Sequence, residues 1–215
     1  MTKLSFTQEF LLCALTPKGT FPALRNTEVT SCLVAGGLLE LLYSNTISIH
    51  KDKILVDTEL PANQAYLEPL YASLQSKKPL KIEDAVAKYT FSTNTLFNKF
   101  LNSLSFPMVE QQVVQLETGG VFHNKTLYLP NQRVVENIVE KIRAEFLEGG
   151  PIDEETLVLG LLLYKSNLIK NYFSKFESDM LKSRIEEMKE AEANSLIKKI
   201  VEYVDTMVAV IASLG

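Results

Sequence analysis

Residues 31–42 (SCLVAGGLLELL) have almost no polar face, although they are long enough for about three turns of helix. A helix that is apolar on every side is normally buried on every side. We therefore predict that this segment belongs to the central helix of a helical domain. Its adjacent glycines, Gly36 and Gly37, each cost roughly 1 kcal/mol relative to alanine in a helix, so we expect neighbouring helices to approach closely there.

A single carboxylate, Glu40, interrupts this apolar run. It could be a catalytic group, but a buried carboxylate more often caps a neighbouring helix or pairs with a base. We predict that Glu40 forms a hydrogen bond with a backbone terminus or with a buried base.

Helical periodicity recurs along the rest of the chain, and two segments alternate as β-hairpins do. The hairpins are predicted at residues 46–56 and 121–129. The predicted helices cover residues 5–15, 26–43, 65–74, 81–88, 93–104, 107–117, 134–147, 153–163 and 181–188, with a last apolar stripe between residues 196 and 214. The predicted fold class is all-α: a multi-helix bundle around buried central helices, the segments 31–42 and 157–163, with two short β-hairpins. No repeat or linker divides the chain, so residues 1–215 are expected to form a single domain.

Charge and hydropathy narrow the function classes. The formal net charge of −4 argues against nucleic acid as the main ligand, because phosphate binding needs a basic surface. The first residues lack the pattern of a signal peptide, and no apolar run approaches the roughly 20 residues of a membrane-spanning helix. We expect a cytoplasmic protein, with Cys13 and Cys32 as buried thiols in a reducing compartment.

A search for catalytic motifs finds little. The two histidines, His50 and His123, fall in the predicted hairpins without other metal ligands at zinc spacing. The acidic run of Asp153, Glu154 and Glu155 is explained as the start of a helix, where the helix dipole favours negative charge. We expect no enzyme activity, no metal and no cofactor.

Residues 81–129 raise one alternative, because three predicted helices followed by a hairpin is the order of a winged helix-turn-helix module. Lysines make the entry to this region locally positive: Lys77, Lys78, Lys81, Lys88 and Lys99. The third predicted helix, however, reads MVEQQVVQ and has one acidic residue and no basic residue. Recognition helices need cations for phosphates and polar donors for bases, so nucleic-acid binding is the weakest alternative and no nucleic-acid partner is expected.

Four segments resemble, in sequence and in order, the Golgi phosphoprotein 3 family: LSFTQEFLLCALTPKGTF, GGLLELLYSNTISI, VVQLETGGVF and GPIDEETLVLGLLL. The resemblance covers residues 4–214. It implies an all-α, non-enzymatic peripheral membrane protein. Eukaryotic members of the family bind phosphatidylinositol 4-phosphate and hold the cytosolic tails of glycosyltransferases. The family's Arg-rich leader is not expected here, which suggests a prokaryotic member.

The residues that bind the lipid head group in the family are not found at the corresponding positions of this sequence. In the family the head group meets a tryptophan before the second helix, an arginine on that helix, and two basic residues three positions apart. The corresponding positions here are Leu24, Val34, Phe106 and Val109.

Cations near the first loop remain at Lys18 and Arg25. We therefore predict that Lys18 and Arg25 meet an anionic lipid surface, with Phe21 and Leu24 inserting. The alternative is a cytosolic adaptor that has lost the lipid site and binds a protein, such as the cytosolic tail of a membrane enzyme. In either case a hairpin could also mediate self-association into a homo-oligomer.

Overall fold

A computed structural model describes residues 3–22, 26–90, 95–119, 125–191, 202–206 and 209. The chain is mostly helical, as the sequence predicts. The helices are α1 (Phe6–Ala14), α2 (Asn26–Tyr43), α3 (Glu68–Leu74), α4 (Ile82–Thr90), α5 (Thr95–Glu110), α6 (Gln132–Leu147), α7 (Glu154–Lys165) and α8 (Lys175–Ala191). Short 3-10 segments, Ala62–Leu67 and Ile169–Asn171, precede α3 and α8.

Two small antiparallel sheets accompany the helices. The first contains β1 (Ile47–His50), β2 (Lys53–Val56) and β3 (Leu80–Lys81), in that order. The predicted hairpin of β1 and β2 is confirmed, and β3 adds an edge strand too short for a sequence pattern to reveal. The second sheet pairs β4 (Val114–Gly119) with β5 (Lys125–Pro130).

Helix α2 is buried along its length, as its composition requires. Its side chains from Val29 to Leu41 are at most 5% exposed. A Cβ on Gly36 would lie 2.9 Å from Thr7 Oγ1 in α1, and a Cβ on Gly37 would lie 2.6 Å from Leu70 Cδ2 in α3. The expected close approach is confirmed, because a Cβ at either position would displace a side chain of the neighbouring helix.

The second apolar run is the partner that the sequence predicts. All residues from Leu157 to Leu163 in α7 are buried, and α7 packs against both α1 and α2. Leu162 Cδ1 lies 3.4 Å from the position that a Cβ on Gly36 would take. The core is therefore built on three helices, α1, α2 and α7.

Glu40 has the structural role predicted for it. Its side chain is 4% exposed, and its Oε1 accepts a hydrogen bond from the backbone N–H of Thr7 at 3.1 Å. Thr7 lies in the first turn of α1, where backbone N–H groups lack partners within the helix. Glu40 Oε2 accepts a hydrogen bond from the Tyr66 hydroxyl at 2.6 Å. The carboxylate thus joins α1 and the first 3-10 segment to α2.

The start of α1 is also as predicted, with a capping box between Ser5 and Gln8.

Cys13 and Cys32 are buried free thiols, and burial raises the pKa of each. Within the helix predicted at residues 65–74, the α-helical part begins at Glu68, and Pro69 lies in its first turn, where proline is tolerated. Of the last predicted stripe, the structure describes residues 202–206, where Val204 is fully buried; positions 196, 200, 207, 211 and 214 lie outside the described residues.

Two predictions between residues 93 and 129 are wrong. Helix α5 continues through Pro107, because its buried stripe extends from Phe100 to Met108 and outweighs the hydrogen bond that proline cannot donate. Residues 114–117, expected to be helical, belong to the strand β4, since Gln112 takes a positive φ of 59° that ends the helix. The strand expected at residues 121–122 lies outside the described residues.

This correction changes the argument for the winged-helix alternative. The helix expected at residues 107–117 is divided between the end of α5 and the strand β4, so it is not a separate helix. Among the described elements, α3, β3, α4 and α5 precede the hairpin of β4 and β5.

Replacing Leu39 should test the central position of α2. Leu39 is 1% exposed, so Leu39→Ala should lower the free energy of unfolding by about 2–5 kcal/mol through loss of packing and cavity formation. Urea unfolding measures this. The matched control is Leu116→Ala, where the residue is 51% exposed and the change should stay within about 0.5 kcal/mol. Equal effects of the two substitutions would contradict the assignment.

The pH dependence of stability should report on Glu40. Burial raises the pKa of its carboxyl above the ordinary value of 4.5, and hydrogen bonds from Ser5, Thr7 and Tyr66 oppose the shift. The folded state therefore holds the proton more tightly than the unfolded state, and this group's contribution to the free energy of unfolding falls as pH rises above 4.5. Glu40→Gln should remove this dependence, so the unfolding free energy of the variant should increase relative to that of wild type as pH rises above 4.5. A constant difference in unfolding free energy across that range would contradict it.

Candidate functional site

The loop that follows α1 is a closed turn. The Thr16 N–H donates to Thr20 O at 2.8 Å, and the Gly19 N–H donates to Thr16 O at 2.8 Å. The Thr20 N–H also donates to Thr16 Oγ1 at 3.3 Å. Lys18 lies within this turn and is exposed, so its ammonium group projects from a loop whose backbone is fixed.

Gly19 attaches the loop to the second hairpin. Its carbonyl accepts a hydrogen bond from the Tyr128 N–H of β5 at 3.1 Å. Its φ is +72°, and a Cβ would lie 2.8 Å from Tyr128 N. Glycine is needed here both for the left-handed backbone and for the close contact. The position of Lys18 therefore depends on the hairpin as well as on α1.

Of the other residues predicted to bind lipid, one lies among the described residues and two do not. Phe21 is partly buried, with its ring centroid 6.0 Å from that of Phe97 in α5. It therefore belongs to the edge of the core, and only part of its ring is available for insertion into a membrane. Leu24 and Arg25 lie outside the described residues.

A cavity of about 390 Å³ lies between this loop, α5 and β5. It is lined by residues from all three: Leu15, Gly19, Thr20, Phe21, Asn98, Leu101, Asn102, Lys125, Thr126, Leu127 and Tyr128. The Tyr128 hydroxyl donates to Asn102 Oδ1. The other amide and hydroxyl groups of the wall can hydrogen-bond to a ligand.

Lys125 is the charged residue in the described lining of this cavity. Sequence reasoning missed it, because only the pairing of β4 with β5, in which Lys125 lies opposite Gly119, brings it to the cavity beside the first loop. Phosphate groups bind best through charge-assisted hydrogen bonds. Lys18 and Lys125 can each supply one, with hydroxyl donors from Thr20 and Thr126.

Three of the positions at which the resemblance would place the family's lipid contacts lie among the described residues. Val34 is fully buried in the core of α2, so a cation would be unfavourable there in this packing. Phe106 is 65% exposed on α5, and neighbouring Val109 packs partly against the core. The described cations near the cavity are therefore Lys18, in the loop after α1, and Lys125, in β5.

The acidic run at residues 153–155 has a structural role. The Asp153 side chain accepts a hydrogen bond from the Thr156 N–H at 3.3 Å, which confirms the interpretation of the acidic run as a helix start. Among the described residues, no group of three or more histidine, cysteine or acidic side chains could hold a metal ion. The described helices include none long and apolar enough to cross a membrane.

Comparison with known proteins identifies one family. The family model described as Golgi phosphoprotein 3 (GPP34) matches residues 6–205. No curated protein matches the chain.

Substituting Gly19 should disturb the contact between the loop after α1 and β5 without removing any charge. Gly19→Ala should lower the free energy of unfolding by about 1–3 kcal/mol, because alanine is strained at this φ and its Cβ would contact Tyr128. Thermal or urea unfolding checks this. Gly150→Ala is the matched control, since nothing lies within 4 Å of a Cβ there. If both variants unfold like wild type, the contact between the loop and β5 is not as described.

Proposed function

We propose that this chain, which belongs to the Golgi phosphoprotein 3 family, is a non-enzymatic peripheral membrane protein that binds anionic phospholipid head groups, including phosphatidylinositol 4-phosphate. The observation that supports this most directly is the exposed Lys18 on a fixed loop beside the cavity that Lys125 lines. The chain would act as one domain on the cytosolic face of a membrane.

The charge of the chain sets the strength of this binding. With a net charge of −4, attraction to an anionic membrane must come from a local patch, and each cation near the surface contributes about 1 kcal/mol. A phosphomonoester needs two or more charge-assisted contacts for specific recognition. We therefore expect weak, salt-sensitive binding with little preference for phosphatidylinositol 4-phosphate over other anionic lipids.

Liposome flotation at low and physiological salt tests the proposal. Lys18→Glu/Arg25→Glu should abolish flotation on anionic vesicles, and Lys125→Glu should weaken it, because each reverses a cation that the proposal brings to the lipid. The control Lys170→Glu changes the charge of an exposed lysine outside this face and should leave flotation close to wild type.

The outcomes separate the alternatives. Absence of flotation by the wild-type protein on any anionic lipid would overturn the lipid proposal and favour an adaptor. Tight binding to phosphatidylinositol 4-phosphate alone would mean that a specific pocket is formed by residues other than these.

The exposed hairpin favours the adaptor as the second candidate. Residues 115–118 of β4 are all exposed, and Leu116 is 51% exposed. Among the described strands, β4 pairs with β5 alone, and no described strand covers its other edge. An open strand edge with an apolar side chain can pair with another chain, either the tail of a membrane enzyme or a second copy of this protein.

Light scattering coupled to size exclusion tests self-association. If β4 pairs between copies, the wild-type protein should form a dimer or larger species at high concentration, and Leu116→Glu should shift it to the monomer. The control Glu83→Lys changes an exposed residue of α4 and should leave the oligomeric state unchanged. A wild-type protein that stays monomeric at every concentration would contradict pairing between copies.

A further inference from the structure

We propose that Phe106 inserts into the membrane and that the groove beside it lies against the lipid. This inference rests on the proposed lipid binding and adds an apolar contact to it. The groove has a volume of about 510 Å³ and lies between the first 3-10 segment and α5. Asn102 lines both this groove and the cavity beside Lys125. The groove therefore adjoins the cavity in which a lipid head group would bind.

The exposure of Phe106 is the first observation. Its side chain is 65% exposed, although removing a phenylalanine side chain from water is favourable. Single exposed apolar residues are common on protein surfaces, so position decides which of them has a role. Other exposed large apolar side chains of the described chain are Leu116, Phe176 and Met180. None of these three is in the described lining of the groove or of the cavity beside Lys125.

The spacing along α5 connects Phe106 to the head-group cavity. Asn98, Asn102 and Phe106 are four residues apart, so they follow one another along one side of the helix. The first two line the cavity beside Lys125, and the last two line the groove. Four residues of helix advance about 6 Å. A surface that meets a head group at Asn102 therefore reaches Phe106 about one helical turn further on.

The lining of the groove suits the interfacial region of a membrane. Its described lining residues include no charged side chain. Ala62 and Ala65 are small, exposed residues of the first 3-10 segment in this lining. Such a surface can leave water without desolvating a charge. Aromatic and aliphatic side chains beside cations are the usual contacts of proteins that lie on a membrane surface.

Charges on both sides of Phe106 set the limits of this surface. Lys99, seven residues earlier on the same side of α5, is exposed and would be attracted to anionic lipid. Glu110, four residues after Phe106, is also exposed and would be repelled. The lipid-facing part of α5 thus extends from Lys99 to Phe106 and ends before Glu110. Its basic part adjoins the cavity that Lys125 lines, so the apolar and electrostatic contacts require the same orientation.

Tryptophan fluorescence tests the insertion directly, because the chain contains no tryptophan. Phe106→Trp places one reporter at the proposed contact. Phe176→Trp is the matched control, since Phe176 is 73% exposed in α8 and is absent from the described lining of both cavities. The probe is vesicles of phosphatidylcholine and phosphatidylglycerol in equal parts. On their addition, the emission of Phe106→Trp should shift to shorter wavelength and be quenched by brominated acyl chains, whereas the emission of Phe176→Trp should do neither.

Flotation measures what the contact contributes to binding. Phe106→Ser should raise the vesicle concentration needed for half-maximal flotation about tenfold, with an unfolding midpoint close to that of wild type because the side chain is mostly exposed. Phe176→Ser should change that concentration by less than about twofold. Salt screens charges but not apolar contacts. The effect of Phe106→Ser should therefore be similar at low and physiological salt, whereas that of Lys125→Glu should be larger at low salt.

The outcomes separate this inference from the lipid proposal. Flotation of the wild-type protein without an emission shift of Phe106→Trp would overturn the insertion and leave lipid binding standing. Absence of wild-type flotation would overturn both. Equal emission shifts of the two tryptophan variants would overturn the insertion, because the vesicles would then contact the chain without preference for this surface. Emission already at short wavelength without vesicles, together with a dimer by light scattering, would overturn it in favour of contact between two copies of the chain.

Discussion

The hydrogen bonds of Glu40 hold together the parts of the fold that carry the candidate site and the groove beside it. A carboxylate inside an apolar helix is costly unless its oxygens are paired. Here they accept from the Thr7 N–H, at the start of α1, and from the Tyr66 hydroxyl. This arrangement fixes α1 against α2 at the point where Gly36 lets the two helices approach. The loop that follows α1 and the first 3-10 segment, which lines the groove, are positioned by the same contacts.

The two ends of α1 have opposite chemical character. Nine residues of helix span only about 13 Å, yet one end leads to Lys18 and the cavity beside Lys125, whereas the other meets Glu40, Glu110 and Glu155. If the chain binds anionic lipid as proposed, this separation of charge would orient it on the membrane. The basic end would face the lipid, and the acidic end would stay in solution.

The elements that the sequence predicted well are those whose signals are local or extreme. Apolar composition on all sides required burial of α2, and the spacing of Ser5 and Gln8 is enough to place the start of α1. Glu40 was assigned a structural role because an isolated carboxylate in such a run must find donors. None of these conclusions depends on knowing which distant segment lies nearby.

The elements that the sequence did not reveal depend on long-range contacts. Residues 114–117 were predicted to continue a helix but pair with β5, and Pro107 does not end α5 because the residues on both sides of it are packed in the core. Lys125 reaches the candidate site only through the register of that pairing.

Hydrogen–deuterium exchange on anionic vesicles tests the orientation on the membrane most directly. Amides at residues 15–22 and 125–130 should exchange more slowly when vesicles are added, whereas those at residues 3–8 and 107–111 should be unaffected. Protection confined to residues 3–8 and 107–111 would show that the acidic end faces the membrane, and would contradict this account.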